Sequence, residues 1–532
     1  MFSVAGIVST GRRLKKGRRN MKKTISFILI LSMIMSSALP VFADDETAKT
    51  EAAAAKTEAD TEANTDADTK TYSDDLVTTK HSAVIQGQVI DYTATAGTMV
   101  VDSGDGKCEI FFIAYTKDGA TDMTQRPITF TFNGGPGSAS LYTDFLCMGP
   151  KRMEVDEIGH ATQLPAKFTD NDNSLLDMTD LVFIDAIGTG YSRAIGNEDD
   201  FIGYDNDIRT IGDFIRLYIN RNKRWGSPKY IAGESYGTTR AVGLCDYLFS
   251  TYSLGMNGLM LISTVNDFSS LQFSTGNDLP YASYLPTYAA DAWYHGCLDK
   301  KYQDMKLEDY LDEVRDFVSE KYVPALYKGR RMTEDEKNEM AKSISQYTGL
   351  SEEFILESNL RITLPDFCKE LLSDKKLMTG RLDGRFTGPV INGSIEDGES
   401  DPSGFDVDAP LAAASNQFIV DELNFNTDRP YIPLSLDVNK RWNFDKDNDI
   451  LAQEEIINNC MAANSMLKVW VMCGYYDGAT PFYGAEWVYN HVFLNDSRLD
   501  NLSFTYYPAG HMFYLDKDSF DQFRKDAEKF YK

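Results

Sequence analysis

The chain of 532 residues sets 53 Lys and Arg against 80 Asp and Glu, a formal charge of −27. So acidic a surface repels nucleic acid and anionic lipid, and no basic patch offers a phosphate track, so nucleic-acid binding is excluded. Seven cysteines leave at least one unpaired and show neither CxxC nor Cys/His metal spacing, so no disulfide framework, metal or cofactor is expected.

Along the chain, the basic run "RRLKKGRRNMKK", the apolar "ISFILILSMIMSSAL" and the small-residue "VFA" predict a signal peptide over residues 1–43, cut after Ala43. Secretion, or association with the cell envelope, is the expected location, with no membrane partner beyond export. A retained anchor competes, although the run is short and Pro40 interrupts its end. Met21 is an alternative start. Residues 44–75, rich in Ala, Thr, Asp and Glu, cannot bury enough surface to offset ordering entropy and read as a disordered acidic linker, with a helical spacer as the alternative.

From His81 to Lys117 apolar and polar residues alternate between Gly and Asp punctuation, which predicts antiparallel hairpins. "ITFTFNGGPGSAS" and "DLVFIDAIGTGYSR" are short strands running into turns. "DIRTIGDFIRLYINRN" has helical spacing, "KYIAG" is a strand, and "TTRAVGLCDYLFS" a helix. This alternation predicts an α/β fold, a mostly parallel central sheet flanked by helices. The core is expected in two parts, residues 76–268 and 436–532, around a largely helical cap insertion at 269–435. "DKDNDILAQEE", from Asp445, has acids at alternate positions like a calcium loop but lacks the turn glycine and the final Glu, so a solvated helix start is preferred.

Within "PKYIAGESYGTTRAVG", Ser235 stands between glycines where a strand meets a helix. A serine hydroxyl needs a base held in the correct tautomer, and on such sheets the acid and then the His follow on later strand ends. Beyond the insertion only His491 and His511 remain. His491 sits among bulky residues of a helix, whereas His511 follows the strand and turn "LSFTYYPAG". Between Ser235 and His511, "LKVWVMCGYYD" ends on Asp477. Ser235 is therefore read as nucleophile, His511 as general base and Asp477 as its orienting acid. The amide of Tyr236 supplies one oxyanion donor, and the Gly-rich turn "FTFNGGPGSAS" should supply the second.

Together, "NGGPGSAS", "FIDAIGTGYSR", "GESYG", "CGYYDGATP" and "AGHM" resemble the serine carboxypeptidase family of α/β-hydrolases, in particular its bacterial branch. The resemblance implies removal of C-terminal residues from peptides through an acyl-enzyme. It implies that Gly135 gives the second oxyanion amide, and that Asn133 and Glu234 bind the substrate's terminal carboxylate. Members of the family usually carry a further Glu just before the "GP" of this region, where this chain has Cys147. Asp144, three residues earlier, is expected on the same helical face and is offered as its substitute. A secreted serine esterase, amidase or acyltransferase using the same triad is the alternative, and a catalytically silent binding domain a further one. The oligomeric state is not readable.

Overall fold

The computed structural model describes residues 72–104, 106–390, 401–404, 407–444 and 451–532. The signal peptide, nearly all of the acidic linker and residues 445–450 of the calcium-like stretch lie outside the described residues. Among the described residues no helix is long and apolar enough to cross a membrane, and all seven cysteines are free thiols.

Ten strands form one sheet: β1 Asp75–Ile85, β2 Gln88–Ser103, β3 Gly106–Lys117, β4 Ile128–Phe132, β5 Asp180–Ile184, β6 Arg193–Ile195, β7 Lys229–Glu234, β8 Gly258–Ile262, β9 Lys468–Gly474 and β10 Leu502–Tyr507. Their order is β1-β2-β3-β5-β4-β7-β8-β9-β10, with β6 paired to the far end of β3. The first three strands are antiparallel, as their alternating pattern predicts. From β5 to β10 every neighbour is parallel. β4 ("ITFTF"), β5 ("DLVFI") and β8 ("GLMLI") are buried at every position, as strands covered on both faces must be.

Side chains alternate between two apolar layers. Ile231, Leu259, Leu261, Val469 and Val471 face one core. Tyr230, Ala232, Met260, Ile262, Trp470 and Met472 face the other. This is the two-residue period of a pleated strand. Helices α1 (Tyr204–Arg221) and α2 (Tyr236–Tyr252) cover the first layer through Ile211, Phe214, Leu244 and Leu248. The C-terminal helix Lys517–Tyr531 covers the second through Phe520, Phe523 and Phe530. α1 begins three residues before the first residue predicted for it, because Gly203, at φ 99°, ends the preceding turn there.

Between β8 and β9 the chain leaves this sheet. It forms the helix Leu279–Tyr294, a series of shorter helices, and one small hairpin, Leu377–Thr379 with Thr387–Pro389. Its last part returns to the turns after β5 and β4: Ile432 pairs with Gly190 and Leu434 with Ser138. A crevice beyond the carboxyl ends of parallel strands is where such sheets place ligands. Here the segments that follow β4, β7, β9 and β10 carry Asn133, Ser235, Asp477 and His511.

Candidate active site

Ser235 joins β7 to α2 at φ 59° and ψ −129°, a conformation a non-glycine residue adopts only when its surroundings impose it. Its N–H donates to the Ile262 carbonyl at 2.9 Å and its carbonyl accepts from the Thr238 N–H at 2.8 Å, so both flanks are fixed. The turn closes because its neighbours lack side chains. A Cβ on Gly233 would lie 2.0 Å from the Gly237 carbonyl oxygen. One on Gly134, in the turn after β4, would lie 2.5 Å from the Tyr236 nitrogen. The Tyr236 amide, the first of α2, thus meets the Asn133–Gly135 turn with nothing between them, while its side chain turns away to Asp207. Gly135, at φ 101°, lines the same cavity as Ser235. The turn that carries Gly135 and the Tyr236 amide thus meet beside Ser235.

Asp477 follows β9 in a turn that it caps itself. Its Oδ1 accepts from the N–H groups of Ala479 and Thr480, both at 2.8 Å. Its Oδ2 accepts from the Thr480 hydroxyl at 2.6 Å and from His511 Nδ1 at 2.7 Å. Asp477 is fully buried and His511 nearly so. Burial opposes the imidazolium, but the charge and hydrogen bond of Asp477, helped by Glu234, outweigh it and hold the His511 pKa above its ordinary value. With Nδ1 committed to Asp477, Nε2 is the nitrogen left for the nucleophile. Ser235 and His511 line one cavity of about 350 Å³. Among the described residues no direct hydrogen bond joins them, a gap that substrate binding has to close, as is common in unliganded sites. His491 lies elsewhere, exposed at a helix end with Nδ1 against the Trp487 carbonyl.

Asn133 and Glu234 also line this cavity. Asn133 Oδ1 accepts from the N–H and hydroxyl of Thr143, both at 3.0 Å, which turns its amide N–H toward Glu234 Oε1, also at 3.0 Å. Tyr514 donates its O–H to Glu234 Oε2 at 2.5 Å. Burial pushes the Glu234 pKa up to about 7, against the pull of His511, Tyr514 and Asn133. A carboxyl so held is protonated in mild acid and can donate to an anion.

Asp144 does not join them. The segment Thr143–Met148 is a π-type turn, closed by the Gly149 N–H on the Asp144 carbonyl at 2.9 Å. Bonding from i to i+5 spreads a three-residue spacing over different faces, so the shared face expected for Asp144 and Cys147 does not form. Asp144 Oδ2 instead accepts from the Tyr115 hydroxyl at 3.2 Å, beneath the sheet, and burial raises its pKa well above the carboxylate range. Cys147 is fully buried, and burial, then the nearby Glu234, pushes its thiol well up.

Several further residues support the site. Arg240, buried in α2, donates to Asp207 at 2.7 Å and to the Asn133 carbonyl at 2.8 Å, pinning the elbow helix to the turn opposite. Asp185, from the "FIDAIGTGYSR" turn, accepts from the Ser140 N–H at 2.7 Å. The insertion grips the histidine: the His511 N–H donates to the Leu382 carbonyl at 2.6 Å, and the Gly510 N–H to Asp383 at 3.1 Å. Asp383 is in turn paired with Arg385, which also pairs with Asp516. Of these supporting residues, Asp185 and Gly510 lie in sequence motifs, as does the Thr480 that caps Asp477 in "YYDGATP".

A nucleophile elbow, a buried imidazole–carboxylate pair and a parallel sheet that carries them at the ends of β7, β9 and β10 define an α/β-hydrolase. The model of the serine carboxypeptidase family matches residues 87–507, and the chain belongs to that family. Among curated proteins it is similar to the pheromone-processing carboxypeptidase KEX1 of Yarrowia lipolytica, 25% identical over 228 residues, covering 41% of this chain and 32% of that protein. The KEX1 of Saccharomyces cerevisiae is 30% identical over 144 residues, covering 25% of this chain and 18% of that one. The chain thus matches about a third or less of the length of these relatives. Among solved structures, that of the prohormone-processing carboxypeptidase Kex1Δp of S. cerevisiae aligns with a TM-score of 0.53 at 17% identity, covering 82% of this chain and 91% of that one, a likeness of fold.

Proposed function

We propose that this protein is a serine carboxypeptidase that removes residues from the C-terminus of peptides. Ser235 attacks the last peptide carbonyl while His511 Nε2 takes its proton, and Asp477 keeps the imidazole in that tautomer and stabilises the cation that forms. The amides of Gly135 and Tyr236 receive the oxyanion. His511 then returns the proton to the leaving amine, and water releases the acyl-enzyme by the same steps reversed. Asn133 and protonated Glu234 bind the terminal carboxylate. The observation that carries the reading is the presence of this amide–carboxyl pair, 3.0 Å apart, in the same cavity as Ser235 and His511.

The test offers one peptide with a free C-terminus beside its C-terminal amide. Stepwise loss from the free acid alone, read by mass, supports the proposal. Equal turnover of both would make the protein an esterase, amidase or acyltransferase of the same triad, a reading favoured by Cys147 standing where the family usually carries an acid. If a fluorophosphonate labels neither wild type nor Ser235→Ala, the fold serves binding only. The reading extends to an exported enzyme, supported by the basic and apolar segments before Ala43. Recovery of the protein from a native culture's medium with Asp44 as its first residue checks that step.

A further inference from the structure

We propose that Tyr514 is the positioning residue that holds Glu234 in place for the substrate's terminal carboxylate, filling in this chain the role that Cys147 does not. The inference rests on the carboxypeptidase reading above. Its basis is a buried polar chain. The Thr143 N–H and hydroxyl fix Asn133, Asn133 donates to one oxygen of Glu234, and the Tyr514 hydroxyl donates to the other. Tyr514 is fully buried, and its O–H reaches Glu234 from the turn Phe513–Leu515, three residues past His511. One turn therefore delivers both the general base and the residue that braces the carboxylate reader.

Cys147 cannot serve instead. It is buried near Glu234 and Tyr514, but a thiol is a weak donor and does not share a proton with a carboxyl group. Without Tyr514, Oε2 of the buried Glu234 would lose its donor. The groups facing Glu234 are Asn133 after β4, Tyr142 and Cys147 in the turn beyond, Asp477 after β9, and His511 and Tyr514 after β10. Of these, Asn133 and Tyr514 hold it by hydrogen bonds.

The sign of the effect follows. A phenol O–H bonded to Glu234 favours its ionised form, so removing the donor must let burial raise the Glu234 pKa further. A hydrogen bond to a charged group is worth enough to move it by about one pH unit. The experiment measures kcat/KM for a blocked dipeptide and for its C-terminal amide from pH 5 to 9, and takes their ratio. The ratio cancels the titration of His511, which both substrates share. In wild type the ratio should fall as Glu234 ionises near neutral pH, and in Glu234→Gln it should be flat. In Tyr514→Phe the fall should move about one unit toward alkaline pH. Replacing Tyr514 by 3,5-difluorotyrosine, a stronger donor of the same shape, should move it toward acid, which tests the idea even if the Phe variant folds poorly. A fall that stays in place in both Tyr514 variants, while Glu234→Gln flattens it, overturns the assignment of Tyr514 and leaves the carboxypeptidase reading intact. A wild-type ratio near one at every pH overturns the carboxypeptidase reading itself.

Discussion

Asp477→Asn isolates the orienting acid, and the structure dictates how the new amide must sit. The two backbone N–H groups of Ala479 and Thr480 both point at Oδ1, so the amide oxygen has to occupy that position. The NH₂ group then faces Thr480 Oγ1 and His511 Nδ1, where the carboxylate had accepted two bonds. A donor opposite Nδ1 forces that nitrogen to accept, which moves the ring proton to Nε2, where it blocks transfer from Ser235. The substitution adds no volume and removes a buried charge, so the fold should survive. The turnover number should drop by about four orders of magnitude, or about 5 kcal/mol of transition-state stabilisation. KM should stay within about threefold, because Asp477 touches no substrate. The assay is kcat and KM on a chromogenic ester and on a blocked dipeptide, with circular dichroism to confirm folding. The acid limb of kcat should also move to lower pH, since the Asp477 charge and hydrogen bond hold the His511 pKa above 6.5. A folded Asp477→Asn enzyme retaining a tenth of wild-type kcat would refute the relay.

Three further outcomes are expected. Glu234, with its folded pKa near 7 against an ordinary 4.5, binds more protons folded than unfolded between those values, so its contribution favours the fold below pH 4.5 and is progressively lost up to pH 7. Glu234→Gln should therefore gain about 2–3 kcal/mol over wild type at pH 8 and little at pH 4.5, measured by urea unfolding at both pH values. Asp144→Asn should leave the free-acid to amide ratio of kcat/KM unchanged, because Asp144 faces Tyr115 and not the cavity; a selective rise in KM for the free acid would reverse that placement. Gly233→Ala should abolish activity or soluble expression, since its Cβ would meet the Gly237 oxygen at 2.0 Å, and an active variant would show that the elbow can open.

The strand ends and the nucleophile's turn were legible because they are local. β7, β9 and β10 are apolar runs closed by small or turn-forming residues, and the chemistry follows each run directly. Chain order alone picked out Ser235, Asp477 and His511, of which the structure bonds Asp477 to His511 and sets Ser235 and His511 on one cavity. Asp144 was misplaced for a definable reason: three-residue spacing was read with α-helical geometry, and the segment is a π-type turn in which Asp144 is held by Tyr115. Tyr514 and Arg240 were illegible for another reason. An aromatic residue beside a catalytic turn and an arginine within a helix are common, and only the long-range contacts to Glu234 and to the Asn133 carbonyl give them a role. The insertion was legible as helical and off the sheet, but nothing in "GRLDGRFTG" indicated that its backbone would reach the histidine.

That reach changes what the insertion is for. The carbonyl of Arg381 accepts from the Gly478 N–H at 2.9 Å, beside Asp477, and the carbonyl of Leu382 accepts from the His511 N–H at 2.6 Å. Two consecutive residues of one inserted loop therefore hold both turns of the acid–base pair, while Asp383 and Arg385 tie that loop to Gly510 and to Asp516. Further on, the Ser435 N–H donates to the Gly137 carbonyl at 2.7 Å and the Asn439 amide to the Pro136 carbonyl at 3.0 Å, bracing the turn that carries Gly135. The nucleophile's own turn takes its support from the sheet, through Ile262. Substitutions in the insertion are thus constrained, because changes near Leu382 or Ser435 disturb the turns that carry His511 and Gly135 before they alter the cavity wall. Of the insertion residues that line the cavity, Asp408 lies outside both braces, bonded through its side chain to the Tyr142 hydroxyl, and is a position where the cavity wall can change at least cost to the relay.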